Sequence, residues 1–222
     1  DEPFIYWSNG NVQEVLDNCN KLPEGVTRDT MDVDVLIVGG GAAGLACAYQ
    51  LATTIEKYNA EITAGNKTGE LIPEQMIVVV EKGGEIGSHS LSGAVLNMKA
   101  LEELIPNYKE LGCPIETPVV EDNFVYLSES GSMKSPIIPP PFHNVGKSIV
   151  SVSKLNRWLA SQCEAKGINI FPGFAAVEAL YEGDKIVGVR TGDKGRDKNG
   201  NPKANFEPGL ILKSKVTVFA EG

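Results

Sequence analysis

The residues that can do chemistry in this chain stand at the end of one apolar run. Val33-Asp34-Val35-Leu36-Ile37-Val38 leads into Gly39-Gly40-Gly41-Ala42-Ala43-Gly44, a G-x-G-x-x-G spacing that opens a helical pattern. In such a turn the first glycine permits a tight bend and the second lets backbone N–H groups approach a pyrophosphate. The third lets helix and strand pack closely. Gly39, Gly41 and Gly44 take those roles here. A glycine-rich turn after a strand also arises for purely structural reasons, so its surroundings decide. Residues 42–57 carry Leu45, Ala48, Leu51, Ala52 and Ile55 on one helical face. A second apolar run, residues 76–81, ends in Glu81, whose carboxylate is placed to accept hydrogen bonds from ribose hydroxyls. The interval from Gly44 to Glu81 exceeds the usual distance of about 20 residues. The excess falls in the polar stretch 58–75, read as a surface insertion. Strand, turn, helix, strand and terminal acid in that order predict dinucleotide binding.

Composition sets bounds on the rest. The 222 residues are 42% hydrophobic and 22% charged, ordinary for a globular chain and enough for one well-buried domain and part of a second. A net charge of −9 argues against nucleic acid as a partner and gives no general attraction to anionic lipid. No stretch approaches the roughly 20 apolar residues that span a bilayer. The chain begins at Asp1, with no signal-like apolar region and no Arg-rich presequence. Either a targeting segment has been removed or the chain starts inside a longer gene product. Cys19, Cys47, Cys113 and Cys163 have no zinc or iron–sulfur spacing, so no metal ligands are assigned. Cys47 and Cys163 fall on apolar helix faces and read as small buried thiols, reduced in an intracellular compartment.

The elements follow from patterning. Residues 1–31 are polar and irregular, with at most a short helix near residues 12–20, and form an N-terminal extension. Residues 32–222 are expected to form an α/β, Rossmann-like domain carrying an inserted β-hairpin or antiparallel sheet; the resemblance set out next makes it an FAD-binding domain of the glutathione-reductase type, incomplete in this chain. Residues 83–94 make a second Gly/Ser-rich loop, and residues 98–104 a short amphipathic helix. The prolines of residues 113–147 exclude a central strand or a long helix and predict a rigid extended excursion. Residues 153–166 form a helix with Ser153 as N-cap, an apolar face of Leu155, Trp158, Leu159 and Cys163, and Gly167 at its C-terminal end. A third parallel strand (168–171), a hairpin (177–181 with 186–191), a hydrophilic loop (192–208) and a return strand (210–220) complete the chain.

Several of these segments, taken in order, resemble electron-transfer flavoprotein–ubiquinone oxidoreductase. They are Val80-Glu81-Lys82 with Ile86-Gly87-Ser88-His89-Ser90-Leu91-Ser92-Gly93-Ala94, then Arg157-Trp158-Leu159-Ala160 and Phe171-Pro172-Gly173-Phe174-Ala175-Ala176. Residues 202–209 and 218–222 continue the match. The resemblance covers residues 31–222, corresponding to the N-terminal portion of that family. It implies a flavoenzyme on one leaflet of its membrane, in mitochondria the matrix side of the inner membrane. Such an enzyme takes electrons from reduced electron-transfer flavoprotein and passes them to ubiquinone through FAD and a four-iron iron–sulfur cluster. By position, Gly39, Gly41, Ala43 and Gly44 face the pyrophosphate and Glu81 holds the ribose. His89, Ser92, Gly93 and Ala94 line the ribityl and isoalloxazine side, and Ala175 or Ala176 presents backbone to the adenine. Ala42, Lys82 and Gly87 complete the cofactor set. Residues 87–108 resemble the part that dips into the membrane surface, a monotopic element rather than a span. The excursion 113–147 is either a structural lid or a quinone-site or membrane element.

The chain departs from the family at Ala42, where proline is usual, and at His143-Asn144-Val145-Gly146-Lys147-Ser148, which lacks the family's second His and its Tyr. The second flavin motif, the quinone pocket and the cluster cysteines are not found in these residues. The expectation is therefore a redox enzyme completed by a second polypeptide or by a C-terminal half, with this chain alone inactive. Alone, it would leave a sheet edge and the hairpin's apolar face uncovered. No residue is assigned as acid, base or nucleophile. Two other readings are a non-catalytic structural subunit of a respiratory assembly and another FAD-dependent reductase or monooxygenase.

Overall fold

A computed structural model describes residues 12–222. The expected short helix is present as α1 (Val12–Asn20); the remainder of the extension, residues 1–11, lies outside the described residues. The central layer starts with β1 (Thr30–Val38), crosses over through α2 (Ala42–Thr63) and returns as β2 (Ile77–Glu81). β2 and the second half of β1, residues 35–38, are continuous apolar runs because there the parallel sheet is covered on both faces. Ile37 and Val79 point into one core with Leu45, Ala48 and Ala52 of α2. Their neighbours Leu36, Val38, Val78 and Val80 point into a second core on the opposite face, the alternation a strand imposes.

α2 runs on to Thr63, past the expected end at residue 57. Part of the expected insertion is therefore helix, since residues 58–63 contain no proline or glycine to stop it. The loop that follows is pinned back by Asn59. Its Nδ2 donates to the carbonyl of Ile72 at 2.8 Å, and its Oδ1 accepts from the Ile72 amide at 2.9 Å.

Beyond β2 the chain builds a small antiparallel layer. It comprises β3 (Ala94–Leu96), the short helix α3 (Lys99–Leu104), β4 (Ile115–Pro118), a hairpin of β5 (Val125–Ser128) and β6 (Gly131–Lys134), and β7 (Ser148–Val150). The sheet order is β3-β7-β4, and β5 pairs with β6 apart from it. The excursion is thus more than extended chain. The prolines act as expected in one respect: Pro118 closes β4, an edge strand, where its missing N–H costs no ladder bond. Stacking of Phe124 on Phe142 and edge contact with Tyr126 hold the hairpin to the Pro-rich turn.

α4 (Val152–Glu164) leads into β8 (Asn169–Pro172). Its N-cap is Ser151, whose hydroxyl accepts from the Lys154 amide; the expected cap, Ser153, is already in the helix. Leu155, Leu159 and Cys163 are buried against α2 and the sheet. Trp158 is only half-buried and donates its Nε1 to the Leu111 carbonyl at 2.9 Å. Gly167, at φ +78°, turns the chain out of the helix.

β9 (Ala176–Glu182), β10 (Lys185–Thr191) and β13 (Ile211–Phe219) complete a six-stranded sheet of order β8-β2-β1-β13-β10-β9. β8, β2, β1 and β13 are parallel, whereas β10 runs antiparallel to β13 and β9. β9 is an edge strand and exposes Val177 and Tyr181.

The expected loop 192–208 is instead a further hairpin, β11 (Lys194–Arg196) with β12 (Pro202–Glu207). Hydrophobic pattern could not reveal it, because its anchor is ionic. The side chain of Asp193 is 3% exposed. It accepts from Arg28 and Arg196 and from the Gly209 amide. Arg196 also donates to the carbonyls of Asn18 and Lys21, which fastens the segment after α1 to this hairpin.

Candidate functional site

A cavity of about 460 Å³ opens at the carboxyl ends of β1 and β2, the edge where open α/β sheets place ligands. β1 delivers the glycine turn to its floor. The Gly39 amide donates to Val80 at 2.8 Å, and the Ala220 amide donates to Val38 at 2.8 Å, so the turn is held from both neighbouring strands. Gly39 sits at φ +113°, and a Cβ there would stand 2.4 Å from the carbonyl oxygen of Ala220. At Gly44 a Cβ would stand 2.0 Å from the carbonyl oxygen of Gly39. That glycine is required by protein packing, and it does not line the cavity.

Gly41 differs from both. It lines the cavity, and a Cβ there would meet no protein atom within 4 Å. It is the N-cap of α2 but supplies no side-chain cap, and no acidic residue occupies the first turn. The start of this 22-residue helix therefore has no capping side chain of its own, and its first residues, Ala42 and Ala43, line the cavity beside Gly41, where a helix N-terminus favours a negative group.

Glu81 closes the next wall. Its Oε2 accepts from the Gly40 amide at 2.9 Å and its Oε1 from the Gly83 amide at 2.7 Å. Each oxygen keeps a lone pair for a further donor. His89 Nδ1 lies 3.7 Å from Oε1. The backbone of the same strand end holds the loop after β8: Phe174 donates to the Glu81 carbonyl at 2.9 Å and Gly173 to that of Gly83 at 2.7 Å.

Most of the residues expected at the site from sequence meet here. Gly39, Gly41, Ala42 and Ala43 line the floor; Glu81, Lys82, Gly87 and His89 line one wall; Ala175 and Ala176 line the other. Ser92, Gly93 and Ala94 do not line the cavity. Ser92 and Gly93 are exposed, and Ala94 begins β3, paired with Val150 and packed on the core. Sequence reasoning missed Gly40, Ser90 and Phe174. Gly40 carried a signal in the triple-glycine run: a Cβ there would stand 2.6 Å from Ile86 Cδ1. Ser90 carried none, because its place depends on a partner 66 residues away.

Among the described residues no group of three or more His, Cys, Asp or Glu could hold a metal ion. No described helix is long and apolar enough to cross a membrane.

Glycine turn, helix N-terminus, strand-end acid and parallel sheet together define a Rossmann-like FAD-binding domain. Solved structures agree in fold. A geranylgeranyl bacteriochlorophyll reductase-like protein from Thermoplasma acidophilum matches with TM-score 0.52 at 18% identity, covering 87% of this chain and 40% of that one. A flavin-dependent brominase matches with TM-score 0.50 at 17% identity, over 86% of this chain and 38% of its own.

The chain is a homologue of the N-terminal part of electron-transfer flavoprotein–ubiquinone oxidoreductases. The Pseudomonas aeruginosa protein of that name is 45% identical over 200 residues, 88% of this chain and 34% of the relative. The probable one of Acinetobacter baylyi is 42% identical over 201 residues, 89% and 33%. The mitochondrial human protein is 41% identical over 203 residues, 90% and 31%. The chain therefore spans about a third of the length of these relatives. No family profile matches it.

Proposed function

We propose that this chain supplies the FAD-binding part of an oxidoreductase that passes electrons from reduced electron-transfer flavoprotein to ubiquinone. The observation that carries the proposal is the open face at Gly41, in a chain 45% identical to a relative of that name. A Cβ would fill the space into which the first N–H groups of α2 point, as a pyrophosphate cradle requires. The cavity volume lies within the range of small-molecule sites.

In this reading the turn from Gly39 to Ala43 holds the pyrophosphate with backbone N–H groups, and Glu81 accepts from ribose hydroxyls with its spare lone pairs. Ala175 and Ala176 offer backbone to the adenine. Lys82, Gly87 and His89 line the wall beyond the ribose. Ser92, Gly93 and Ala94 belong to the proposal only if that loop moves onto the cofactor. Bound FAD supplies the redox chemistry itself, while the protein binds it, orients it and excludes water. No residue of this chain is assigned as acid or base.

The remaining parts rest on the same kinship. They are a four-iron cluster outside this chain, completion of the fold by a second polypeptide or further sequence, and monotopic residence on the matrix side of the mitochondrial inner membrane.

The test is the visible spectrum of the protein purified from its own cells with any chain it carries, and the identity of that chain. A flavin band, bleached by reduced electron-transfer flavoprotein and restored by a soluble ubiquinone, is expected. A particle without flavin refutes the proposal and leaves a structural subunit as its reading.

A further inference from the structure

We propose that Ser90 donates a hydrogen bond to the cofactor and that Asn156 is the residue that positions it. The inference rests on the FAD reading above and adds two residues that neither motif nor kinship assigns.

Asn156 lies on α4, 2% exposed, among the buried residues of that helix. A buried amide is costly unless it is bonded. Its side chain makes one bond: Nδ2 donates to Ser90 Oγ at 2.9 Å, while Oδ1 has no partner. The opposite amide orientation would leave both N–H donors unpaired, against one N–H and the carbonyl oxygen in the orientation present, and a buried orphan N–H is the rarer and costlier of the two. With Oγ accepting from Asn156, the Ser90 proton must point elsewhere. No described residue accepts it, and Ser90 lines the cavity. The serine is held firmly in this position. Its amide donates to Gly87 at 3.1 Å, and Gly87, at φ +84°, sits so close to α4 that a Cβ would stand 2.7 Å from the Ser153 carbonyl oxygen. α4 thus supports the loop at two points and directs one hydroxyl toward the ligand. The acceptor is an oxygen of the dinucleotide, on the pyrophosphate or on the ribityl–ring side.

The test uses deflavinated protein, purified with any partner it carries and titrated with FAD and with ADP. Ser90→Ala should raise the FAD Kd by about 5–10-fold if the acceptor is a neutral oxygen and by about 10–100-fold if it is a pyrophosphate oxygen. Ser90→Thr should restore it. Ser90→Ala also orphans the Asn156 amide and should lower the melting temperature of the apoprotein. The double variant Ser90→Ala/Asn156→Leu removes that burden, so it should regain the melting temperature without regaining FAD affinity. A parallel loss of ADP affinity places the acceptor on the pyrophosphate; unchanged ADP affinity with a shifted flavin band places it on the ribityl–ring side. Either result supports the donor role. Unchanged FAD affinity in Ser90→Ala overturns the proposal, as does recovery of affinity in the double variant. Wild-type protein that takes up no FAD overturns the site reading beneath it.

Discussion

Gly41 and Gly44 stand three residues apart in one motif, yet their substitution should fail in opposite ways. A side chain at Gly41 meets open space, and its backbone, at φ −81° and ψ −179°, suits any L-residue. Gly41→Val should therefore leave apoprotein stability within about 1 kcal/mol of wild type, the scale of changes at a helix N-cap. Its isopropyl group would instead fill the cradle. Losing two charge-assisted contacts of about 1.5–3 kcal/mol each amounts to about 3–6 kcal/mol, or about 10²–10⁴-fold in Kd. At Gly44 the added Cβ would stand 2.0 Å from a backbone oxygen, so α2 must back away from β1. Leu45 and Ala48, both fully buried, would move with it. Gly44→Ala should cost about 1–3 kcal/mol as overpacking and lower the melting temperature by about 2–4 °C per kcal/mol. Thermal melts without ligand, beside FAD titrations, read the two effects separately. Flavin retained by Gly41→Val, or a Gly44→Ala protein that melts like wild type, would refute the reasoning.

Other outcomes can be checked with equal directness. Burial pushes the Asp193 carboxyl up, but bonds from Arg28, the Gly209 amide and Arg196 outweigh it and hold the group far below the usual carboxylate range. A depressed folded value means that the stabilisation is present above pH about 4 and drains away as pH falls below it. Asp193→Asn should flatten that acid loss and cost about 3–5 kcal/mol at pH 7 in urea melts, since it strands two buried guanidiniums. Burial pushes the Cys163 thiol up to about 12, and the group is fully enclosed, its Sγ donating to the Leu45 carbonyl. Iodoacetamide at pH 8 should therefore label it only after denaturation, as mass spectrometry of the alkylated peptide would report. Glu81→Gln places an NH₂ group against the amide of Gly40 or Gly83. It should weaken FAD binding and lower the apoprotein melting temperature together, read by the same titrations and melts.

What was legible in the sequence depended on how local the cause was. The parallel core and the helices over it are written as apolar periodicity, and β1, α2, β2, α4 and β8 were readable from it. The N-cap slipped from Ser153 to Ser151 because two serines flank one valine and both satisfy the cap pattern. The hairpin of β11 and β12 was unreadable for a different reason. Only scattered charges mark it, and the Arg28–Asp193–Arg196 cluster joins positions 165 residues apart. The candidate site divides along the same line. Gly39, Gly41 and Glu81 announce themselves by spacing within one βαβ unit. Ser90 becomes visible only when α4 arrives beneath it.

The glycine turn itself shows why a hexapeptide match is insufficient evidence for a site. Gly39 reaches φ +113° under constraint from two strands at once, bonded to Val80 on one side and crowded by Ala220 on the other. β13 must be in register with β1, pairing Val38 with Phe219, for that crowding to exist. Glu81 then ties the turn to the neighbouring loop by holding Gly40 and Gly83 with separate oxygens. The N–H groups at the start of α2 are thus aimed by a closed set of contacts drawn from residues 38–44, 80–83 and 219–221. A dinucleotide-binding turn is a property of that assembled sheet edge, and the motif marks where in the chain it is built.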